Sequence, residues 1–191
     1  MAIKTFILMG RPGCGKGRQA TVLKEKTNFD IFSTGGRFRE IASQKNDLGG
    51  RVGEIMNSGA LMPNWFASFL FQEKIFSLNT DEGIIFEGVG RMEPEARLFS
   101  EIAFWLGRDF RVLHLNVSEA TVKERISKRL KEEGRVDDDP LRLQTRFDEF
   151  EKHTIPAINY FRSIGKVIEI DGMPAPEKVF EEIWNKISSL I

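Results

Sequence analysis

Gly10-Arg11-Pro12-Gly13-Cys14-Gly15-Lys16-Gly17 follows directly on a short apolar run, Phe6 to Met9, and opens a stretch of helical pattern. Gly10, Gly15 and Lys16 stand at Walker A spacing. In a strand–loop–helix setting such glycines let backbone N–H groups curl around phosphate oxygens. The helix adds its positive end and Lys16 a point charge. Gly17 stands where most loops of this kind carry the Ser or Thr that ligates Mg²⁺.

Outward from this loop, short β-type runs alternate with helical stretches. Ile3–Gly10, Phe29–Thr34, Gly83–Val89, Phe110–Val117 and Lys166–Asp171 are short and rich in Ile, Val, Leu and Phe, which predicts five strands. A helix is expected from Ser118, its N-cap, through Arg129. Another should start at Asp139-Pro140 and stop at Gly165, kinked or interrupted by Pro156. The last, Pro176 to Leu190, puts Val179, Phe180, Ile183, Trp184 and Ile187 on one core-facing stripe. Strand–helix alternation means a parallel sheet covered on both faces with right-handed crossovers. Two segments break it: residues 35–82, with several helix patterns and no clear strand, and the charged stretch at 130–140. Insertions at the ends of parallel strands are where mobile covers over a site tend to lie.

At 191 residues the chain is most simply one domain with room for a proper core. Its 29% charged and 41% hydrophobic residues argue against wholesale disorder. With 28 basic and 28 acidic residues the net charge is zero, against a general nucleic-acid or membrane-surface binder. The single cysteine, Cys14, excludes an internal disulfide, and His114 and His153 add too few ligands for a Cys/His zinc site. Residues 1–51 nevertheless hold ten Lys/Arg against four Asp/Glu. That is either chance surface patterning or an anion site built mainly from the N-terminal quarter. The longest apolar run, Trp65 to Phe71, is far short of the roughly 20 residues of a membrane span. Phe6 to Met9 is too short for a signal-peptide core. A soluble, cytoplasmic protein is expected.

A loop ending Gly-Lys-Gly with Gln19 after it resembles the adenylate kinase family of nucleoside-monophosphate kinases, whose loop reads GxPGxGKGTQ. The likeness continues in order. Ser33-Thr34-Gly35-Gly36-Arg37-Phe38-Arg39 is similar to that family's STGDxLR segment, and Gly59-Ala60-Leu61-Met62-Pro63 to its G-x-L-V-P segment. Glu87-Gly88-Val89-Gly90-Arg91 falls where the family has D-G-F/Y-P-R. Arg125 to Arg129, Gly134 to Asp138 and Arg146 fit its short-lid members.

The resemblance implies a P-loop NTPase fold: three αβα layers, a five-stranded parallel sheet, a helical monophosphate-binding insertion and a short lid. The core would be 1–33, 64–128 and 140–191, with the acceptor cover at about 34–63 and the triphosphate lid at about 129–139. It implies ATP + AMP ⇌ 2 ADP with Mg²⁺ brought by ATP, in a monomer acting on small nucleotides, without zinc, nucleic acid or membrane. ATP would lie on Gly13, Cys14, Gly15, Lys16, Gly17 and Arg18, with Arg129 over it and Pro174 near its base. The monophosphate would meet Thr34, Arg39, the Ala60–Leu61–Met62 backbone, Gly88, Arg91, Glu95, Arg135 and Arg146. Catalysis would rest on Lys16, Arg91, Arg125, Arg129, Arg135 and Arg146, with Glu87 ordering Mg²⁺-bound water. Phosphoryl transfer between two nucleotides independently calls for arginines converging from separate elements, because repelling phosphates must be held in line. Arg37, Arg108 and Arg142 are read as solvated helix faces.

The chain departs from the family pattern at several positions. Arg18 replaces a Thr and either adds charge to the loop or points to solvent. Glu87 replaces Asp, one methylene longer. Gly36 replaces an acid, and Gly90 replaces a proline, leaving Arg91 on a looser backbone. Glu95 stands where the family has a glutamine against the adenine edge. An ionised carboxylate is acceptor-only, suited to guanine rather than adenine; alternatively Glu95 turns to solvent or is protonated when AMP binds. The alternatives to an AMP kinase are therefore a kinase of altered acceptor base, such as GMP, or a nucleotide-binding protein with weak or lost transfer activity.

Overall fold

The computed structural model describes residues 2–133 and 140–191, without the side chains of 129–133 and 140–141. Arg135 and most of the expected triphosphate lid therefore lie outside the described residues, as does the side chain of Arg129.

Five strands form one parallel sheet in the order β2-β3-β1-β4-β5. They are β1 (Thr5–Gly10), β2 (Asp30–Ser33), β3 (Ile84–Glu87), β4 (Arg111–Asn116) and β5 (Val167–Asp171), each one or two residues inside its expected limits. β1 lies at the centre and all six of its residues are buried, as a strand covered on both faces requires. Side-chain alternation divides the core. Ile7 and Met9 join one cluster with Phe86, Phe99 and Phe161, while Phe6 and Leu8 join the other with Leu113, Ile126 and Ile183.

The helices are α1 (Lys16–Thr27), α2 (Thr34–Ala42), α3 (Asp47–Ser58), α4 (Asn64–Phe76), α5 (Glu93–Trp105), α6 (Glu119–Glu133), α7 (Pro140–Glu149), α8 (Ile155–Ser163) and α9 (Pro176–Ile187). Residues 35–82 thus hold parts or all of three helices and no strand, as the pattern predicted. Ser33 caps α2 by accepting from the N–H of Gly36, and Ser118 Oγ accepts from the N–H of Thr121 at the start of α6. On α9, Val179, Ile183 and Ile187 are buried; Phe180 and Trp184 pack at its margin.

The helix expected over 139–165 is interrupted, but before its proline rather than at it. Phe150–Thr154 forms a π-helical turn between α7 and α8, in which the N–H of Ile155 donates to Phe150 O. Pro156, which has no N–H, then sits in the first turn of α8, where none is needed. The ladder widens by one residue instead of breaking.

In the register, Leu8 pairs with Glu87 and Glu87 with Ser33. The carboxyl ends of β1, β2 and β3 therefore open on one edge of the sheet, and the loops leaving them share it. That is where ligands bind in open parallel sheets.

Candidate active site

The loop after β1 turns into α1 through glycines in the left-handed region. Gly13 has φ +83°, and a Cβ there would lie 2.6 Å from Ile126 Cδ1, so only glycine fits against α6. Lys16 folds back over the loop: its Nζ donates to Gly10 O at 2.7 Å and Arg11 O at 3.1 Å, and lies 3.6 Å from Cys14 Sγ. Gly17 faces the end of β3, where a Cβ would lie 3.6 Å from Glu87 Oε1. The missing hydroxyl of the loop thus leaves space beside a carboxylate. An oxygen donor at the phosphate loop suits Mg²⁺, which keeps most of its waters and takes few protein ligands.

On the outer side, Gly13, Cys14, Gly15, Arg18, Arg125 and Pro174 line a cavity of about 400 Å³. This gathers most of the residues expected around ATP. Arg125 donates to Met173 O at 2.8 Å and also lies 3.4 Å from Pro174 O. It stands with the loop after β5, apart from the cluster of arginines described below. Arg18 is paired with Glu177 at 2.6 Å, both side chains exposed. Arg11 lies 2.5 Å from Glu151 and 3.8 Å from Glu119, with its guanidinium over the Phe150 ring. Both arginines are turned toward carboxylates, which for Arg18 favours the outward of its two expected orientations.

On the inner side, Arg39, Arg91, Arg142 and Arg146 line a second cavity of about 130 Å³, with Ala60, Leu61 and Met62 as its wall. Arg91 is half-buried. Desolvation and the neighbouring Arg146 lower its pKa to about 10, while Glu95, Glu149 and Glu87 hold it up, so it stays charged at neutral pH. Arg142, expected on a solvated face, lines this cavity instead. It stands one turn before Arg146 on α7, so the same helix face carries both into the cavity. Arg37 pairs with Glu40 at the surface. Arg108 pins Thr5 Oγ1 and the carbonyls of Asn79 and Glu82, a structural role.

A narrow slot continues inward from this cavity, lined by Thr34, Phe38, Leu61, Met62, Ala67, Gly88, Arg91 and Glu95. Thr34 Oγ1 is buried there with no hydrogen-bond partner among the described residues. Glu95 is 3% exposed, and its Oε2 accepts from the N–H of Arg91 at 3.0 Å. Burial raises its carboxyl to about 7, opposed by the N–H groups of Arg91, Met92 and Gly90 and by the Arg91 charge. It does not turn to solvent.

Gly90 is not simply a loosened proline. Its φ is +69°, closed to proline, and a Cβ would lie 3.0 Å from Phe161 Cε2. Glycine lets the loop carrying Arg91 press onto α8.

The adenylate kinase family profile matches residues 8–166. The chain belongs to the adenylate kinase family. An adenylate kinase of Caulobacter sp. (strain K31) is 34% identical over 175 residues, 91% of this chain and 93% of its own length. Another, from Phenylobacterium zucineum (strain HLK1), is 33% identical over 91% of this chain and 92% of its own. A third, from Leptospira biflexa serovar Patoc (strain Patoc 1 / Ames), is 28% identical over 97% and 100%. The expected fold and family both hold for this adenylate kinase family member. No helix among its described residues is long and apolar enough to cross a membrane.

Proposed function

We propose that the protein transfers the γ-phosphoryl group of ATP to a nucleoside monophosphate, AMP first among them, as ATP + AMP ⇌ 2 ADP. The observation that carries this reading is the pairing of two cavities at one sheet edge. One begins at the phosphate loop; the other is ringed by Arg39, Arg91, Arg142 and Arg146. An acceptor phosphate needs several fixed cations to approach a triphosphate, and guanidiniums grip its oxygens bidentately while staying charged. In-line transfer then needs positioning and charge neutralisation rather than a covalent intermediate.

In this reading Lys16 and the loop N–H groups hold the donor phosphates, with Arg125 and Pro174 at the base end. Arg39, Arg91 and Arg146 hold the acceptor phosphate, Arg142 adds to them, and Thr34 offers its unpartnered hydroxyl. Glu87 would hold Mg²⁺ through water, and the ion would neutralise charge between the phosphates when bound. The protein would act as a cytoplasmic monomer. Purified protein given ATP, AMP and Mg²⁺ should form ADP in a coupled assay. Lys16→Met should lower kcat by at least ~100-fold, the loss typical of removing one transition-state charge partner. Absence of ADP formation by the unmodified protein would overturn the reading.

A further inference from the structure

The slot behind the acceptor arginines has a composition that limits what can enter it. Its walls are Phe38, Leu61, Met62 and Ala67, and it opens into the arginine-lined cavity through shared residues, Arg91 among them. A ligand with its anion on the arginines and a flat, largely apolar body in the slot meets two polar side chains there. One is Thr34, whose hydroxyl has no partner among the described residues; the other is Glu95, 3% exposed. Bases taken into snug pockets are read by hydrogen bonds at their edges, so Glu95 is placed to read the base.

A carboxyl group can do so in two ways. Ionised, it only accepts, matching the adjacent N–H and amino donors of guanine. Protonated, it donates with one oxygen and accepts with the other, matching the ring nitrogen and amino group of adenine. Resting on the kinase reading above, we propose that Glu95 sets the acceptor purine through its own protonation, so that one site accepts both AMP and GMP in a ratio governed by pH.

The surroundings make both forms accessible. Burial favours the neutral acid, while the N–H groups of Gly90, Arg91 and Met92 and the Arg91 charge favour the anion, and the balance falls at about 7. Among the described residues lining the slot, Arg91 is the other ionisable side chain: α2 presents Thr34 and Phe38, the segment after α3 presents Leu61 and Met62, and α4 presents Ala67. Arg91 in turn feels Arg146 from α7, Glu149 from the same helix and Glu87 from β3. On α8, which packs against α5, Tyr160 lies under Arg97.

The test is the ratio of kcat/KM for AMP to that for GMP, with ATP and Mg²⁺, measured from pH 5.5 to 8.5. Phosphate titration is common to both acceptors and cancels in the ratio. The ratio should fall at least ~10-fold from pH 6 to pH 8, within the ~100-fold change that one group titrating near 7 allows. In Glu95→Gln, whose amide both donates and accepts at every pH, the ratio should be flat and shifted toward AMP. A flat ratio in the unmodified protein, or a slope that survives Glu95→Gln, overturns the proposal. If no monophosphate is phosphorylated, the kinase reading fails by itself. The same ratio taken from AMP and GMP dissociation constants by calorimetry then decides the role of Glu95.

Discussion

Arg11 reaches from the phosphate loop to the π-helical turn, its Nη1 2.5 Å from Glu151 Oε1. The loop's own arginine is thereby neutralised by a residue 140 positions away, at the junction between α7 and α8. Since Glu151 is half exposed, Glu151→Gln should cost no more than ~1 kcal/mol, a melting shift within about 4 °C. It should also release positive charge near the triphosphate. The expected result is an ATP KM lower by roughly 2- to 5-fold at low ionic strength, the gain vanishing in high salt. An unchanged KM at low salt would count against it.

Gly90 gives a prediction that runs against the family pattern. Restoring the proline would demand a φ near −65° where the chain has +69°. Gly90→Pro should destabilise the fold by about 3 kcal/mol or more in urea unfolding. Gly90→Ala should cost about 1–2 kcal/mol from the left-handed backbone and the Phe161 contact. Stabilisation by the proline would show that the loop relaxes freely.

The buried Glu95 also predicts a stability effect distinct from its effect on acceptors. Its folded-state pKa, about 7, lies above the ordinary 4.5, so the folded chain binds the extra proton in that window. This contribution is fully present below about 4.5 and is lost as pH rises through 7. Glu95→Gln should therefore exceed the unmodified protein in stability at pH 8 by about 2 kcal/mol, and by much less at pH 5. Parallel unfolding curves at both pH values test it.

His114 works in the opposite sense. It is buried on β4 with Nδ1 2.7 Å from Glu169, and desolvation outweighs that carboxylate to hold its pKa below 6.5. The folded state then binds fewer protons than the unfolded one. Its contribution is full above the ordinary value and is lost as pH falls below it. Glu169 and Asp109, both held below their ordinary values by cationic partners, extend the loss at lower pH. Stability should fall on acidification below pH 6.5, and the initial slope should be shallower in His114→Gln.

The arginines divide by location rather than by number. Arg146→Ala should lower kcat/KM for the acceptor by about 100- to 1,000-fold. Arg37→Ala, one α-helix away and paired to Glu40 at the surface, should stay within about twofold. Comparable losses in both would mean that the cavity does not hold the acceptor phosphate.

The strands were legible because a parallel sheet buried on both faces leaves uninterrupted apolar runs such as Thr5–Met9. Their lateral order was not, since it depends on crossovers rather than on any local pattern. Ordered motifs made Thr34, Arg39, Leu61, Gly88 and Arg91 legible as one group, and these residues line two adjoining cavities. Arg142 was missed because its spacing to Arg146 equals that of Arg125 to Arg129, and spacing alone does not distinguish a site-facing face from a wet one. The pairing of Arg11 with Glu151 and of Arg18 with Glu177 joins residues far apart in sequence, so composition shows the local excess of cations but not its partners. Gly90 read as slack for the same reason: a sequence shows that a ring is missing, not the sign of φ.

The π-helical turn has a consequence for heredity as well as for geometry. Between Arg146 on α7 and Phe161 on α8 one turn, Phe150–Thr154, is wider than an α-helical turn, with an i to i+5 bond in place of i to i+4. Each residue of an α-helix advances the side chains by about 100°, so this widening sets the phase between a segment that lines the arginine cavity and a segment that fills the core. Deleting any one residue of 150–154 would rotate the two segments out of step. Descendants of this chain keep that phase only by keeping the number of those five positions, two of which, Phe150 and Thr154, are buried as well.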